Sequence, residues 1–326
     1  MLSLLDKREE FRPFEYEKAY KFVVDQNSHH WIHNEIEVDS DVAQYNTEFT
    51  DAEKHGITTV LKLFTKYETR VGNYWTDVIY NRFQKPEIQM MAQVFGAMEV
   101  EHALFYDKLN EALGLSTKEF HLSFMEDPSM LARDKFIGEM LNKGRNGSLE
   151  DLAIALGTFS MVEGVLLYSS FAFLLSFQQQ AQAKLKNVAG TGLAYSVRDE
   201  NLHAEGGSWL YNTLMKEYSE IDKEKVEKKL VEIAKSSYEI EAMIIDNIFS
   251  KGKIEGITDT QLKNFVKSRI NKKLKDINID SIYEVSYNPI ATWFYKVINS
   301  LEVADFFSQN STSYTNNWNF SKIKEW

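Results

Sequence analysis

The sequence predicts an all-α protein that folds as a helical bundle. Only four prolines interrupt 326 residues, and long helix-forming segments follow one another without a run of alternating strands. A short pattern, Glu-x-x-His, also occurs twice, at Glu99–His102 and at Glu200–His203. Residues three apart project from the same side of a helix, so each copy places two metal-binding side chains together.

Taken in order, the helix-forming segments are bounded by proline, glycine and capping residues. We expect helices near residues 51–79, 86–113, 117–142, 148–183, 187–217, 221–249 and 258–274. Pro86 and Pro128 are placed as first-turn residues, where a missing N–H costs nothing. Asn146-Gly147-Ser148 followed by Asp151 predicts a turn and a capping box that begins the fourth segment.

The fourth segment is apolar on every side from Leu152 to Phe177. Its length would suit a membrane span, but Glu163 lies in its middle and cationic flanks are missing. A carboxylate at the centre of a bilayer is costly. We therefore expect a buried core helix here and no membrane association.

A lone glutamate precedes each Glu-x-x-His pair, Glu68 by 31 residues and Glu163 by 37, which suggests a weak repeat of two helix pairs. Four helices that supply Glu, Glu-x-x-His, Glu and Glu-x-x-His form the carboxylate-bridged di-metal site of ferritin-like bundles. The expected ligands are Glu68, Glu99, His102, Glu163, Glu200 and His203. The alternative is that these residues fall into the pattern by chance and lie on solvated helix faces. The apolar neighbours of Glu99 and Glu163 would then leave each carboxylate unexplained.

The chemistry of this ligand set limits which metals the site could hold. Four glutamates match the four positive charges of two divalent ions, and an oxygen-rich shell with one imidazole per metal suits iron or manganese. Zinc prefers fewer carboxylates.

Composition excludes several other classes of function. A net charge of −11 disfavours nucleic acid and anionic membranes as partners. The first residues turn charged at once and predict no signal peptide, so we expect a cytoplasmic protein. The chain has no cysteine, which excludes disulfides, zinc–thiolate sites, iron–sulfur clusters and thiol catalysis.

Three further residues join the ligand pattern. Tyr106 lies one helical turn after His102, Asp199 directly precedes Glu200, and Trp31 lies 37 residues before Glu68. With these residues, the chain from about residue 15 to 300 resembles the small, radical-generating subunit of class I ribonucleotide reductase. The runs Ser169–Phe173 and 288–290 are also similar to runs of that family.

The resemblance implies a ferritin-like bundle that acts as ribonucleoside-diphosphate reductase subunit beta in deoxyribonucleotide synthesis, active only with a large subunit. Glu68, Glu99 and His102 would hold one metal. Glu163, Glu200 and His203 would hold the other, with Glu99 and either Glu200 or Glu163 as bridges. The metal pair would react with an oxygen species, and Tyr106 would be oxidised to a stable radical. His102, Asp199 and Trp31 would lead the radical equivalent outwards, and Tyr314 would relay it to the large subunit.

The resemblance also implies a homodimer and leaves open a flavoprotein activator. We expect one domain over residues 1–304, with extra helices flanking the four-helix core, and a tail over residues 305–326 that docks on the large subunit or is simply a disordered terminus. Two iron ions are the first choice. Manganese in one or both positions stays open, because Glu68 stands where many relatives have aspartate. Ser196 replaces a residue that is commonly bulky and apolar near the radical.

Two other functions stay open on the sequence alone. A di-metal oxidase or oxygenase of the same fold would act on a small organic substrate and would need a ligand pocket, but not Trp31, Asp199 or the tail. An iron-storage or structural bundle is the other, although this chain is about twice as long as storage ferritins. Tyr106 and Trp31 each have a simpler alternative as packing residues of the core.

Overall fold

The structure, a computed structural model, describes residues 3–297, and these residues form helices joined by short connections. The helices are α1 (Glu17–Ser28), α2 (Asp39–Glu48), α3 (Asp51–Asn73), α4 (Pro86–Ala112), α5 (Lys118–Leu122), α6 (Pro128–Asn146), α7 (Leu149–Met161), α8 (Tyr168–Ser176), α9 (Ala194–Glu217), α10 (Lys223–Ile248), α11 (Asp259–Asp276) and α12 (residues 289–297). Over residues 3–297 the only β pairing is one isolated bridge, Ile254 to Ile257. The predicted all-α class is confirmed.

Two antiparallel helix pairs form the four-helix core. In the first pair, a Cβ added at Gly72 of α3 would lie 3.4 Å from the Cβ of Glu99 on α4. In the second pair, the hydroxyls of Ser160 on α7 and Ser208 on α9 are 2.5 Å apart. Helix α1 packs on α4, while α6, α10 and α11 pack around α7 and α8. These are the flanking helices that the sequence led us to expect outside the core.

Three π-helical turns interrupt the core helices, at Tyr74–Ile79, Val162–Leu166 and Val188–Leu193. The first continues α3 into a last turn at Tyr80–Arg82, the second joins α7 to α8, and the third leads into α9. A π turn holds an extra residue, so it changes the direction of the side chains around it, and such turns are frequent at functional sites. None of the three was predicted from the sequence.

The predicted helix starts are confirmed where capping residues mark them. Pro86 and Pro128 each occupy the first turn of a helix, and Ser148 forms a capping box with Asp151. The single segment predicted over residues 117–142 is wrong, because Asp127 caps a new helix at Pro128 and divides it. Proline lacks the N–H that an uninterrupted helix needs at that position.

Other segment boundaries moved by a few residues, and the N-terminal helices were missed. The segment predicted over 148–183 ends as an α-helix at Ser176, followed by a short 3-10 turn at Phe177–Gln179. Helices α1, α2 and α12 were not predicted; all three are short, and α1 and α2 are mostly polar. Tyr314 and the predicted domain boundary at residue 304 lie outside the described residues.

The apolar fourth segment is a core helix. Over Leu149–Gln179 the chain is long and apolar enough to cross a membrane, but all of its most apolar 18-residue stretch is buried inside the fold. The helix is apolar on every side because other helices surround it.

Candidate metal centre

The six predicted ligands meet inside the four-helix core. Each is buried, with at most 2% of its surface exposed. Their ligand atoms form two overlapping groups, each within 4.8 Å: Glu68, Glu99, His102 and Glu200, and Glu99, Glu163, Glu200 and His203. Glu99 and Glu200 belong to both groups, as bridging carboxylates of a two-ion site would.

Both histidines turn the same ring nitrogen towards the carboxylates. His102 Nδ1 lies 3.3 Å from Glu99 Oε2 and 3.2 Å from Glu200 Oε1. His203 Nδ1 lies 2.7 Å from Glu99 Oε1. The Nδ1 atoms therefore point to the places that two ions would occupy.

The opposite ring nitrogens are held by polar partners outside the cluster. His102 Nε2 is 3.2 Å from Asp199 Oδ2, and His203 Nε2 is 3.0 Å from Gln26 Oε1. Gln26 also donates to Asp199 Oδ1 at 3.1 Å, so the residues that hold the two histidines are hydrogen-bonded to each other. Histidine ligands of metals are commonly oriented in this way, since an acceptor on one nitrogen leaves the other free to bind.

Glu163 has a partner of its own. The indole Nε1 of Trp75 donates to Glu163 Oε1 at 2.7 Å, and both residues lie in π-helical turns. One carboxylate oxygen is thus held by a neutral donor, and Glu163 Oε2 has no hydrogen-bond partner among the described residues. The second oxygen is available to an ion.

The protein groups alone cannot keep four glutamates ionised. Burial raises the pKa of Glu68 and Glu200 well above the ordinary value, and the Glu99 carboxylate adds to the shift. Burial also raises the pKa of Glu163 to about 7. Burial acts in the same direction on Glu99, but His203 and His102 together outweigh it and lower the pKa of Glu99 to about 2. Near neutral pH, Glu68 and Glu200 therefore favour their protonated form and Glu163 is about half protonated, unless cations replace the protons.

The residues present fit two divalent cations. Four buried carboxylate oxygens of the cluster have no hydrogen-bond partner and no histidine nitrogen at hydrogen-bond distance in the described part of the chain: both oxygens of Glu68, Glu163 Oε2 and Glu200 Oε2. Buried polar atoms without partners are costly, and two ions would satisfy all of them. The donor set of carboxylates with one imidazole per group suits iron or manganese.

Tyr106 lies beside this cluster in an aromatic pocket. Its ring is fully buried, stacks on Phe64 at 4.3 Å and lies 5.0 Å from Phe105. Phe171 lies behind Phe64, with 5.3 Å between the ring centroids. Burial raises the pKa of the Tyr106 phenol well above the ordinary value, and the Glu68 carboxyl adds to the shift. The phenol is therefore protonated at neutral pH.

A hydrogen-bonded chain runs from His102 to Trp31. Asp199 Oδ2 accepts from Trp31 Nε1 at 2.8 Å and lies 3.2 Å from His102 Nε2. Trp31 also stacks on the His102 ring at 5.8 Å and lies 5.8 Å from Tyr195, which is partly exposed. The structure thus brings Trp31, Asp199 and His102 into direct contact.

A surface groove reaches the cluster between α3 and α4. Its volume is about 310 Å³, and Glu68, Gly72, Glu99 and Val100 are among the residues that line it. Without a side chain at Gly72, this α3–α4 groove extends to the edge of two glutamates of the cluster. The groove is a route by which small ions could approach the site.

Sequence reasoning missed Gln26 and Trp75. Each lies far along the chain from the ligand it contacts: Gln26 is 177 residues from His203, and Trp75 is 88 residues from Glu163. Neither residue carries a local motif, so no signal in the sequence pointed to them.

Comparisons with known proteins agree on one family. A family model described as "Ribonucleotide reductase, small chain" matches residues 8–289. The probable ribonucleoside-diphosphate reductase small subunit of Invertebrate iridescent virus 3 is 27% identical over 96% of this chain and 86% of its own length. The ribonucleoside-diphosphate reductase subunit beta of Chlamydia pneumoniae is 24% identical over 95% of this chain and 90% of its own.

Solved structures show the same fold. The ribonucleotide reductase R2 subunit from Clostridium botulinum superposes with a TM-score of 0.83 at 20% identity, over 91% of this chain and 94% of that one. A dimanganese(II) NrdF protein from Streptococcus sanguinis superposes with a TM-score of 0.76 at 19% identity, over 90% of this chain and 99% of that one.

Proposed function

Because the chain belongs to the ribonucleotide reductase small-chain family, we propose that its buried cluster holds two metal ions and that Tyr106 carries the radical they generate. The chain is the small subunit of a ribonucleoside-diphosphate reductase and works with a large subunit. It contains no cysteine, so any thiol chemistry of nucleotide reduction takes place on another chain. Family membership also favours this function over the oxidase or oxygenase considered from the sequence.

The ligands divide between two ion positions. Glu68 and His102 would hold one ion, Glu163 and His203 would hold the other, and Glu99 and Glu200 would be shared. When bound, iron or manganese ions supply oxidising power through reaction with an oxygen species. The protonated carboxyl groups would give up their protons to accept the ions, and Asp199 and Gln26 would keep the two imidazoles in the orientation that binds.

Tyr106 would lose one electron and its phenolic proton to become a neutral radical. Its position supports the role, since Phe64 and Phe105 cover the ring and exclude water. In the described part of the chain the Tyr106 hydroxyl makes no hydrogen bond of ordinary geometry, and the hydroxyl of Ser196 lies beside it. The single observation that carries the proposal is this dry phenol next to six converging ligands.

The radical equivalent would leave along the contacts of His102, Asp199 and Trp31. Two hydrogen bonds at Asp199 connect the ring of a metal ligand with an indole, so a proton and an electron could move along one path. Tyr314 is our candidate for the relay to the large subunit. It lies in the tail, residues 305–326, which we propose as the docking segment after a single domain of residues 1–304.

Metal identity, assembly and location are the finer parts of the proposal. Iron in both positions remains the first choice, and the dimanganese(II) relative keeps manganese open. We further propose a homodimer in the cytoplasm and leave a flavoprotein activator as an option to be tested by reconstitution.

The test is electron paramagnetic resonance of the metal-loaded protein after exposure to oxygen. We expect a tyrosyl signal from the wild type and none from Tyr106→Phe, because phenylalanine cannot lose the phenolic proton. Tyr74→Phe is the matched control, since Tyr74 is equally buried and its hydroxyl also lacks a partner among the described residues. The control should keep the signal. A signal that survives in Tyr106→Phe would overturn the assignment.

A further inference from the structure

Two buried arginines converge on the π-helical turn that carries Glu163. Arg269 on α11 donates from Nε to the carbonyl oxygen of Gly164 at 2.8 Å. Arg133 on α6 donates from Nη2 to the carbonyl oxygen of Leu166. Each side chain is about 1% exposed. We propose that Arg133 and Arg269 are positioning residues that fix this turn, and that they thereby set the affinity of one of the two ion positions.

The direction in which the Glu163 side chain points depends on the turn keeping its π-helical geometry. An α-helix advances about 100° per residue, so one residue more or fewer rotates every neighbouring side chain by that angle. Glu163 lies inside the turn Val162–Leu166, and the two anchored carbonyls follow it by one and three residues. Return of this turn to α-helical geometry would redirect the carboxylate away from its partners. Fixed donors on two neighbouring helices oppose that change.

The neighbours of Arg269 indicate that its position is strongly determined. A buried guanidinium is costly unless hydrogen bonds or opposite charges compensate it. The partners that the structure gives Arg269 are neutral: the Gly164 carbonyl, the Tyr295 hydroxyl at 2.9 Å and the face of Tyr168 at 3.8 Å. Movement of the guanidinium away from the Gly164 carbonyl would leave the buried charge less compensated, so the contact opposes displacement of the turn.

Arg133 is held in a different way. Its Nη1 lies 3.1 Å from Glu241 Oε1, and the other oxygen of Glu241 accepts from Ser169 at 2.7 Å. Its guanidinium also lies over the ring of Tyr67 at 4.1 Å. Arg133 therefore reaches the turn from a paired, fully buried position on α6.

Close packing of α11 on the turn adds a third constraint. A Cβ built at Gly164 would lie 2.5 Å from Cδ of Lys273, which is four residues from Arg269 on the same face of α11. Only glycine allows the lysine stem to lie directly against the turn. One face of α11 therefore places the Lys273 stem against the backbone of the turn and Arg269 within hydrogen-bond distance of it.

The two ion positions depend unequally on Glu163. It belongs to the group with Glu99, Glu200 and His203, and the group with Glu68 and His102 does not include it. Loss of an arginine that only stabilises the fold would affect both positions alike. Loss of a residue that orients Glu163 should weaken binding only at the ion position to which Glu163 belongs. This difference separates a positioning role from a structural one.

The experiment measures binding of Mn²⁺ to the metal-free full chain by titration, with free Mn²⁺ followed by paramagnetic resonance. It rests on the proposed metal site, which the wild type must first support by binding two ions. In Arg269→Met we expect one ion to bind about 10- to 100-fold more weakly while the other keeps its wild-type affinity. Arg133→Met should weaken the same ion. The control is Arg8→Met, because Arg8 is also buried and donates to backbone carbonyls, but it lies in the N-terminal segment.

Each outcome decides a different point. The inference is overturned if folded Arg269→Met binds both ions with wild-type affinity. It is also overturned if the variant binds both ions more weakly to the same extent. A wild type that binds no ion pair would instead overturn the proposed function. Should Arg269→Met not fold, Arg269→Ala with guanidinium ion at low concentration replaces it, since the ion can occupy the vacated space. Recovery of the weaker ion with guanidinium, but not with sodium at equal ionic strength, supports the inference, and no recovery contradicts it.

Discussion

At the scale of single residues, the two histidines of the cluster differ in what holds them. His102 faces the carboxylate of Asp199, whereas His203 faces the neutral amide of Gln26. An anion polarises an imidazole more strongly than an amide does, so the two ion positions have unequal ligands although their sequence motifs are the same. Asp199 also contacts Trp31, and the more strongly polarised histidine is therefore the one connected to the proposed radical path.

Protonation of the glutamates predicts how metal affinity depends on pH. The carboxyl of Glu163 has its pKa raised to about 7, chiefly by burial, and burial also raises the pKa values of Glu68 and Glu200 well above the ordinary value. A protonated carboxyl must lose its proton before it binds a cation, so the affinity rises with pH. Below pH ~7 we expect the affinity for Mn²⁺ to fall about tenfold per pH unit for each proton displaced.

Titration of the metal-free protein at several pH values measures this slope. The protons released on binding can be counted independently in a weakly buffered solution with an indicator dye. An affinity that stays constant between pH ~6 and ~8 would show that the four carboxyls are already ionised before the metal binds.

Ser196 is a second residue-scale feature of interest. It is fully buried, and its hydroxyl lies beside that of Tyr106. It lies close enough to the phenol to oppose the rise in pKa that burial and Glu68 cause. The sequence placed Ser196 near the radical position by resemblance, and the structure puts it beside Tyr106.

At the scale of helices, close contact between α3 and α4 shapes the approach to the cluster. The α3–α4 groove ends at Glu68 and Glu99, and Gly72 contributes no side chain to its wall. A Cβ at Gly72 would make only ordinary contact with Glu99, 3.4 Å away, so a larger residue there would fill the groove with little displacement of the ligand.

Gly72→Leu should therefore slow uptake of metal several-fold and leave the equilibrium affinity nearly unchanged. Stopped-flow mixing of metal-free protein with Mn²⁺ measures the rate, and the titration described above measures the affinity. Gly138→Leu is the control, because Gly138 also lies in a helix and has open space around its Cβ position. Equal uptake rates in Gly72→Leu and the wild type would exclude this groove as the route.

The π turns are the element-scale feature that sequence patterns did not indicate. Hydrophobic periodicity distinguishes helix from strand, but the helix over Leu149–Gln179 is buried on every side and has no apolar stripe whose phase could change. A π turn within such a helix leaves the composition unaltered. Its position follows from contacts with Arg133 and Arg269, which come from helices elsewhere in the chain.

At the scale of the whole molecule, two antiparallel helix pairs enclose the cluster, and every described residue of the proposed radical path lies within residues 26–203. The segment proposed for docking, residues 305–326, is separate in sequence from all of them. Metal binding and communication with the large subunit should therefore be separable.

Truncation after residue 304 tests this separation. We expect the shortened chain to bind two ions and form the tyrosyl signal as the full chain does, but to support no nucleotide reduction with the large subunit, because Tyr314 and the docking segment are removed. Assays of reductase activity and paramagnetic resonance on the same preparation provide the comparison. Full reductase activity of the truncated chain would remove the tail from the mechanism.

The sequence by itself determined the all-α class and the six residues that meet in the core. Both follow from local chemistry: proline scarcity permits long helices, and Glu-x-x-His places two ligands on one helix face whatever the rest of the chain does. The starts of α6 and α7 were readable for the same reason, since Asp127 and Ser148 cap helices through neighbours two or three residues away.

Only the tertiary structure decided which carboxylates are shared and what holds them. The sequence left Glu200 and Glu163 open as the second shared residue, and the structure places Glu200 in both groups. Gln26, Trp75, Arg133 and Arg269 act through contacts across 33 to 177 positions in the chain. Such contacts depend on how helices pack in three dimensions, and no spacing within one helix encodes them.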